Sequence, residues 1–338
     1  MSEWFAELWY YIRTAATTPD FYSMIIMSAA PILLAALGCA IAQKANATNM
    51  GMEGIMNFSA LCAVLVSAAV NKSAAACGPW IGLLAAIAAG AVLGFLVSVF
   101  AFRLKIDIVL VGIALNMICT GGAVYLMYVL TGDRTTTTSL MSGNLPLVNI
   151  PLIKDIPFVG KVISGHYVLT YLAYILVFVL SFFIFKTKPG LRIRAVGENQ
   201  DAAESVGISS LKIKTIALVL SGMFGGIAGC FMSECYLSNF SSGVIAGRGY
   251  VGLAACMMGS ANPGVICLCC LAFGIFYAFS NWPRQSKLLS PYALQALPYI
   301  IVLVGVVIYS IYMRKKELER LKGLDSEEKQ EQTVKQTT

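Results

Sequence analysis

The chain has 338 residues, 58% of them hydrophobic and only 12% charged, with a mean hydropathy of +0.77. A soluble domain carries about 25% charged residues, so this composition excludes a water-soluble fold and points to an integral membrane protein. The net charge of +7 is no nucleic-acid footprint, because the basic residues gather at the ends of apolar runs and in the tail. Residues 1–20 are aromatic-rich and amphipathic and suit the membrane interface better than a crossing. With Glu3 and Glu7 and no basic start before an apolar core, they do not read as a cleaved signal.

From residue 21 onward the apolar runs are about twenty residues long, which fits helices rather than barrel strands. Spans are expected near 21–41, 50–70, 78–101, 107–130 and 167–185, then 215–235, 246–261, 263–280 and 292–312. The fold class is therefore all-α, a polytopic transmembrane helical bundle of about nine spans within residues 21–313.

Charge orients the bundle. Between two apolar runs, the stretch 186–214 holds Lys186, Lys188, Arg192, Arg194, Lys212 and Lys214, the mark of a cytoplasmic loop. Arg103 and Lys105 then fall on the same side, and the loop 131–166, with Pro146, Pro151 and Pro157, is extracellular. The tail, 314–338, opens on Arg314-Lys315-Lys316; it is expected inside and disordered. An even number of spans must then separate Lys214 from Arg314, so the short, glycine-broken run 246–261 counts as one.

An odd total makes 21–130 and 215–312 two inverted sets of four helices. The second member of one set begins with Gly51 and Gly54, and its counterpart begins with Gly247, Gly249 and Gly252. Glycine-interrupted spans at matching places in inverted halves point to a transport path. Close helix packing is the plainer reading, and GxxxG spacings at Gly78–Gly82, Gly90–Gly94 and Gly225–Gly229 use glycine that way. Within the central loop, Asp201 and Glu204 are placed to form a capping pair, and Gly207 supplies a left-handed stop. The loop is either a docking surface or a positive-inside anchor.

Other chemistry is sparse. GRGYVG (247–252) spells the dinucleotide pattern, but no strand precedes it inside an apolar run, and no phosphate loop occurs anywhere. His166 stands alone at a span boundary and reads as a solvated edge residue. Cys267, Cys269 and Cys270 splay around a helix with no His or acid beside them, so neither a metal nor a catalytic site is expected. Glu53, Asp107, Glu234 and Arg248 fall near span ends. The span interiors are left with neutral polar groups such as Asn57, Ser59, Asn116 and Thr120. That argues against ion coupling and suits an uncharged polar solute.

Three ordered motifs carry a family resemblance: ATNMGMEGIMNFSA (47–60), RAVGENQDAAESVGIS (194–209) and GRGYVGLAACMMGSANP (247–263). They resemble the permease subunits of bacterial ABC importers for branched-chain amino acids, ribose, galactosides and nucleosides. The loop PLVNIPLIKDIPFVGKV (146–162) is similar to the branch with lipoprotein receptors for nucleosides or simple sugars. Asn57, where an aliphatic residue is usual, and the absence of a bulky aromatic before Pro263 are departures.

The resemblance implies a multi-pass protein of the bacterial plasma membrane that is not an enzyme and binds no cofactor. It implies a partner ABC ATPase that hydrolyses the ATP, a second permease (a paralogue, forming a heterodimer) and an extracytoplasmic substrate-binding lipoprotein. No nucleic-acid partner is implied. Arg194, Gly197, Glu198, Asn199, Ala202, Ala203, Glu204 and Gly207 become the ATPase-coupling loop. Gly51, Glu53, Gly54, Asn57, Asn116, Gly247, Arg248, Gly249 and Tyr250 become the candidate translocation path for a nucleoside or simple sugar. The alternative is a stand-alone helical-bundle carrier or channel for a neutral polar solute.

Overall fold

The computed structural model describes residues 13–14, 17–71, 77–140, 142–149, 159–281, 299–307, 309–311 and 314–315. Most of the expected interfacial segment, nearly all of the expected disordered tail, part of the 131–166 loop and residues 292–298 of the last expected span lie outside the described residues.

Among the described residues, seven helices are long and apolar enough to cross a membrane. The first four are α1 (Pro19–Lys44), α2 (Met52–Asn71), α3 (Gly78–Ser98, continued by a π-turn Val99–Arg103) and α4 (Ile108–Thr131), and the other three cover Val168–Lys186, Ser210–Tyr236 and Pro263–Asn281. After a short α5 (Val159–Ile163) come α6 (Val168–Lys186), the two loop helices α7 (Lys188–Glu198) and α8 (Gln200–Ser205), and α9 (Ser210–Cys230) with a π-turn Phe231–Tyr236. Last are α10 (Arg248–Met258), α11 (Pro263–Asn281) and a shorter apolar helix α12 (Tyr299–Ile311). The chain is a polytopic helical membrane protein.

Three expectations need correction here. The stretch 246–261 is no full helical span: α10 has 11 residues, about 16 Å of rise against a hydrocarbon core of about 30 Å. The 131–166 loop also adds a small two-stranded antiparallel sheet, pairing Leu147 with Tyr167 and Val148 with His166. His166 is not a solvated edge residue; it is buried, with Nε2 2.8 Å from the Val162 carbonyl.

α1 is the hub. Its side chains from Ser28 to Ala42 are all buried, as expected of a helix apolar on every side. Small residues bring the other helices close. A Cβ at Gly90 or Gly94 of α3 would collide with the Gly222 or Leu218 carbonyl of α9, and one at Gly229 with the Met56 carbonyl of α2. The glycine spacings on α3 and α9 therefore serve backbone-close packing.

The ends of the bundle are defined by contacts. At one end, α1 finishes at Lys44 against α7, where a Cβ on Gly197 would collide with the Lys44 carbonyl. Lys214, at the start of α9, lies 5.8 Å from the Phe102 ring and 2.7 Å from Gln200 Oε1. At the other end, the segment after α4 meets the segment after α9: the Thr137 amide donates to the Phe240 carbonyl at 2.9 Å, and Thr136 bridges Ser241. From that meeting point the chain runs irregularly to Gly247, then as α10 back to the α7 end, where the Ser260 carbonyl accepts Lys44 Nζ at 3.2 Å.

Candidate functional site

Two helices start inside the bundle. α2 begins at Met52 after an irregular stretch in which buried Asn49 accepts the Gly51 amide at 3.0 Å and donates to Ser221 Oγ at 3.0 Å. α10 begins after Gly247, whose φ of +72° favours glycine and offers no side-chain cap. The cap comes from α2. Glu53 Oε1 accepts the Gly247 amide and Oε2 accepts the Gly249 amide, each at 2.8 Å.

Electrostatics explains this arrangement. The first amides of a helix have no partner within it and carry partial positive charge. A carboxylate is the complementary group, and Glu53 also lies in the first turn of its own helix. Two helix starts thus converge on one carboxylate.

Asn116 of α4 secures the other side. Its Oδ1 accepts the Gly54 amide at 2.7 Å, and its Nδ2 donates to the Met50 carbonyl at 2.8 Å and lies 3.0 Å from Tyr250 Oη. The glycines are what allow this approach. A Cβ at Gly249 would sit 2.7 Å from Glu53 Cα, one at Gly54 2.7 Å from Asn116 Cα, and one at Gly51 3.0 Å from Leu115. One turn along α2, buried Asn57 leaves its Oδ1 without a partner.

The nine residues singled out along the expected path therefore fall in or beside one junction. Their depth differs from expectation. A Cβ at Gly252 would touch Ala35 and Ile32 of α1, and Gly38 of α1 faces Met52. Glu53 and Arg248 thus lie beside the Ile32–Gly38 stretch of α1, well inside from its Lys44 end. The reason is that α2 and α10 are preceded by irregular chain, so their first residues are not at a membrane surface. Glu234 does sit at the end of α9, but fully buried, accepting Cys230 Sγ at 3.3 Å.

Arg248 points to the far side of the junction. Its guanidinium carbon lies 5.0 Å from the Tyr277 ring centre and 5.4 Å from that of Tyr236. It borders a cavity of about 400 Å³ that Tyr299, Ser242 and Asn281 also line. The sequence signals missed these last residues, because they come from three separate segments with no shared spacing.

The loop at the α7 end keeps its expected helix with a different cap. Asn199, not Asp201, caps α8 by accepting the Ala202 amide at 3.0 Å. Glu204 does not reach back to close a capping box; Ser210 Oγ donates to it at the start of α9, and Gln200 lies 3.4 Å away. An extended Asn199 explains the change, since its β-region backbone is the geometry an N-cap needs. Gly207 does supply the left-handed stop, at φ +83°. Ala203 is the buried residue of α8, while Ala202, Glu204 and Gly207 are exposed. Arg194, Gly197 and Glu198 line a cavity of about 330 Å³ with Lys44, Ser260 and Tyr309. Val206, 72% exposed, is an apolar knob that the motif match passed over.

A bundle of membrane-spanning helices with two helix starts capped inside it has the form of a transport permease. The comparisons agree: residues 21–310 match the family described as branched-chain amino acid transport system, permease component. This chain belongs to that family and is a permease subunit of an ABC importer, a multi-pass protein of the plasma membrane. The family's members are transporter subunits rather than enzymes. Among its relatives, the guanosine ABC transporter permease protein NupQ of Bacillus subtilis is 32% identical, over 80% of this chain and 88% of its own. The nucleoside ABC transporter permease protein NupC of Lactococcus lactis is 29% identical, over 85% and 90%. The glucose ABC transporter permease protein TsgB13 of Haloferax volcanii is 23% identical, over 75% and 67%.

Proposed function

We propose that this permease carries a nucleoside across the membrane, driven by ATP hydrolysed on a separate subunit. The observation that carries the reading is its similarity, over most of both chains, to relatives named for guanosine and nucleoside transport. Glu53 and Arg248 leave the junction with one negative and one positive group, which suits an uncharged solute. A simple sugar is the second reading, favoured by the glucose permease among the relatives.

In this reading the chain crosses the membrane nine times, from an outside amino terminus, in two inverted sets of four helices. The irregular 237–247 segment and α10 together make the seventh crossing, and α2 and α10 are the matching broken members. The exposed face of α8, with Ala202, Glu204 and Val206, docks on the ATPase. Gly197, backed onto the Lys44 carbonyl, passes the motion of α7 to α1. A paralogous permease and a receptor lipoprotein complete the importer.

Uptake of labelled nucleosides at low external concentration tests the solute. A strain lacking this chain is expected to lose it; normal nucleoside uptake with lost sugar uptake would shift the assignment to the second reading. Native Cys77, exposed before α3, tests the orientation. An impermeant thiol reagent is expected to label it on intact cells, whereas Ser209→Cys in a Cys77→Ser background stays unlabelled. The reverse pattern would overturn the topology.

A further inference from the structure

Arg248 is 7% exposed, yet its hydrogen bonding is incomplete. Nη1 donates to the Val244 and Ile245 carbonyls at 3.3 and 3.2 Å, while Nε, buried, donates to nothing. A buried donor without an acceptor is unfavourable and calls for an explanation. The guanidinium borders the 400 Å³ cavity, a size within the range of small-molecule sites.

The surroundings narrow what the guanidinium could meet on its cavity side. Glu53 holds the amides of Gly247 and Gly249, on either side of Arg248. That places a carboxylate behind Arg248 that offsets its charge, while a cationic solute would meet the guanidinium first, so a neutral solute fits best. Tyr236, Tyr277 and Tyr299 line the cavity, and aromatic rings give a planar base a face to stack on. Arginine carries donors only. It therefore matches a base edge made of two acceptors, such as O6 and N7 of a 6-oxopurine, and mismatches adenine, which puts an amino donor at N6.

Resting on the nucleoside reading above, we propose that this cavity is a solute station within the permease that favours 6-oxopurine nucleosides over adenosine. Arg248 reads the acceptor edge of the base, and the tyrosines hold its face.

The test is uptake of labelled guanosine and adenosine by the complete importer, in cells with no other nucleoside uptake. Keeping the receptor unchanged assigns any altered ratio to the permease. Wild type is expected to favour guanosine. Arg248→Gln, which offers an acceptor as well as donors, is expected to lower the guanosine-to-adenosine ratio by about tenfold, the usual scale for one base-edge contact. Ser242→Trp fills the cavity from an exposed position on its lining and leaves the Arg248 residue itself unchanged. It is expected to cut uptake of both nucleosides by about tenfold at an unchanged membrane level, which keeps the test valid if Arg248→Gln fails to insert. An unchanged ratio in Arg248→Gln, normal transport by Ser242→Trp, or equal wild-type uptake of the two nucleosides overturns the proposal alone. Absence of all nucleoside uptake in wild type overturns the functional reading with it.

Discussion

At the start of α8, Asn199 accepts the amide of Ala202, three residues on, at 3.0 Å. At the start of α10, the amides of Gly247 and Gly249 go to Glu53, 194 and 196 positions away. Both are helix starts with the same four unpartnered amides. The first lies where water is close, so a local cap is a refinement. The second lies among partly buried side chains with no side-chain cap of its own, and its cap is brought by another helix. A cap of the first kind stabilises one helix; a cap of the second kind fixes two helices against each other.

That contrast makes Glu53 the place where the largest effect is expected. Glu53→Ala leaves two amides without acceptors inside the bundle. With charged hydrogen bonds worth about 1.5–3 kcal/mol each, a loss of about 3 kcal/mol is expected, read as a lowered melting temperature of the detergent-solubilised complex and lost uptake. Glu53→Gln keeps one acceptor oxygen and loses the charge, so its stability should fall between the two. If Glu53→Ala melts with the wild type, the carboxylate does not hold the junction, and α10 is fixed by packing alone.

The loop should respond on a smaller scale and in a different property. Gly207→Val forces a Cβ into a left-handed conformation, at a cost of about 1 kcal/mol or more. The space around Gly207 is otherwise open, so no clash adds to it. Asn199→Ala removes the α8 cap, about 1 kcal/mol. Both variants are expected to insert and accumulate normally, while ATPase co-purification and solute-stimulated ATP hydrolysis fall. Normal assembly and transport by both would leave the loop as a positive-inside anchor.

The same contrast explains what could be read from the sequence. Seven spans were legible because bilayer thickness imposes a length and a composition on each. The α8 helix and its left-handed stop were legible because caps act over three or four residues, although the capping residue was misplaced from Asn199 to Asp201. The glycines at 51, 54, 247 and 249 were legible as a pair of broken starts. What the glycines admit was not. The bonds from Glu53 to α10 and from Asn116 to Gly54 join segments whose separation leaves no periodicity, and the neutral-interior expectation hid the depth of Glu53 and Arg248. The third segment at the Arg248 cavity, Tyr299, lies a further 51 positions along with no motif to announce it.

The smallest effect is expected at the bond that only tertiary structure creates, Asn116 Nδ2 to Tyr250 Oη at 3.0 Å. Asn116 also serves the Gly54 amide and the Met50 carbonyl, so Asn116→Ala alone mixes three losses and cannot be assigned to one. Tyr250→Phe removes only the hydroxyl, from a side chain that is 52% exposed, and should cost little by itself. The double-mutant cycle isolates the pair, provided neither change introduces a new contact. Hydrogen bonds between membrane helices average about 0.6 kcal/mol in such cycles, because the separated helices find other partners. A coupling of about that size in thermal stability, with Asn116→Ala several times more damaging than Tyr250→Phe, is the expected result. A coupling near zero would mean that α4 is tied only to α2 at this level, and that α10 is free to separate from α4 while Glu53 keeps it on α2.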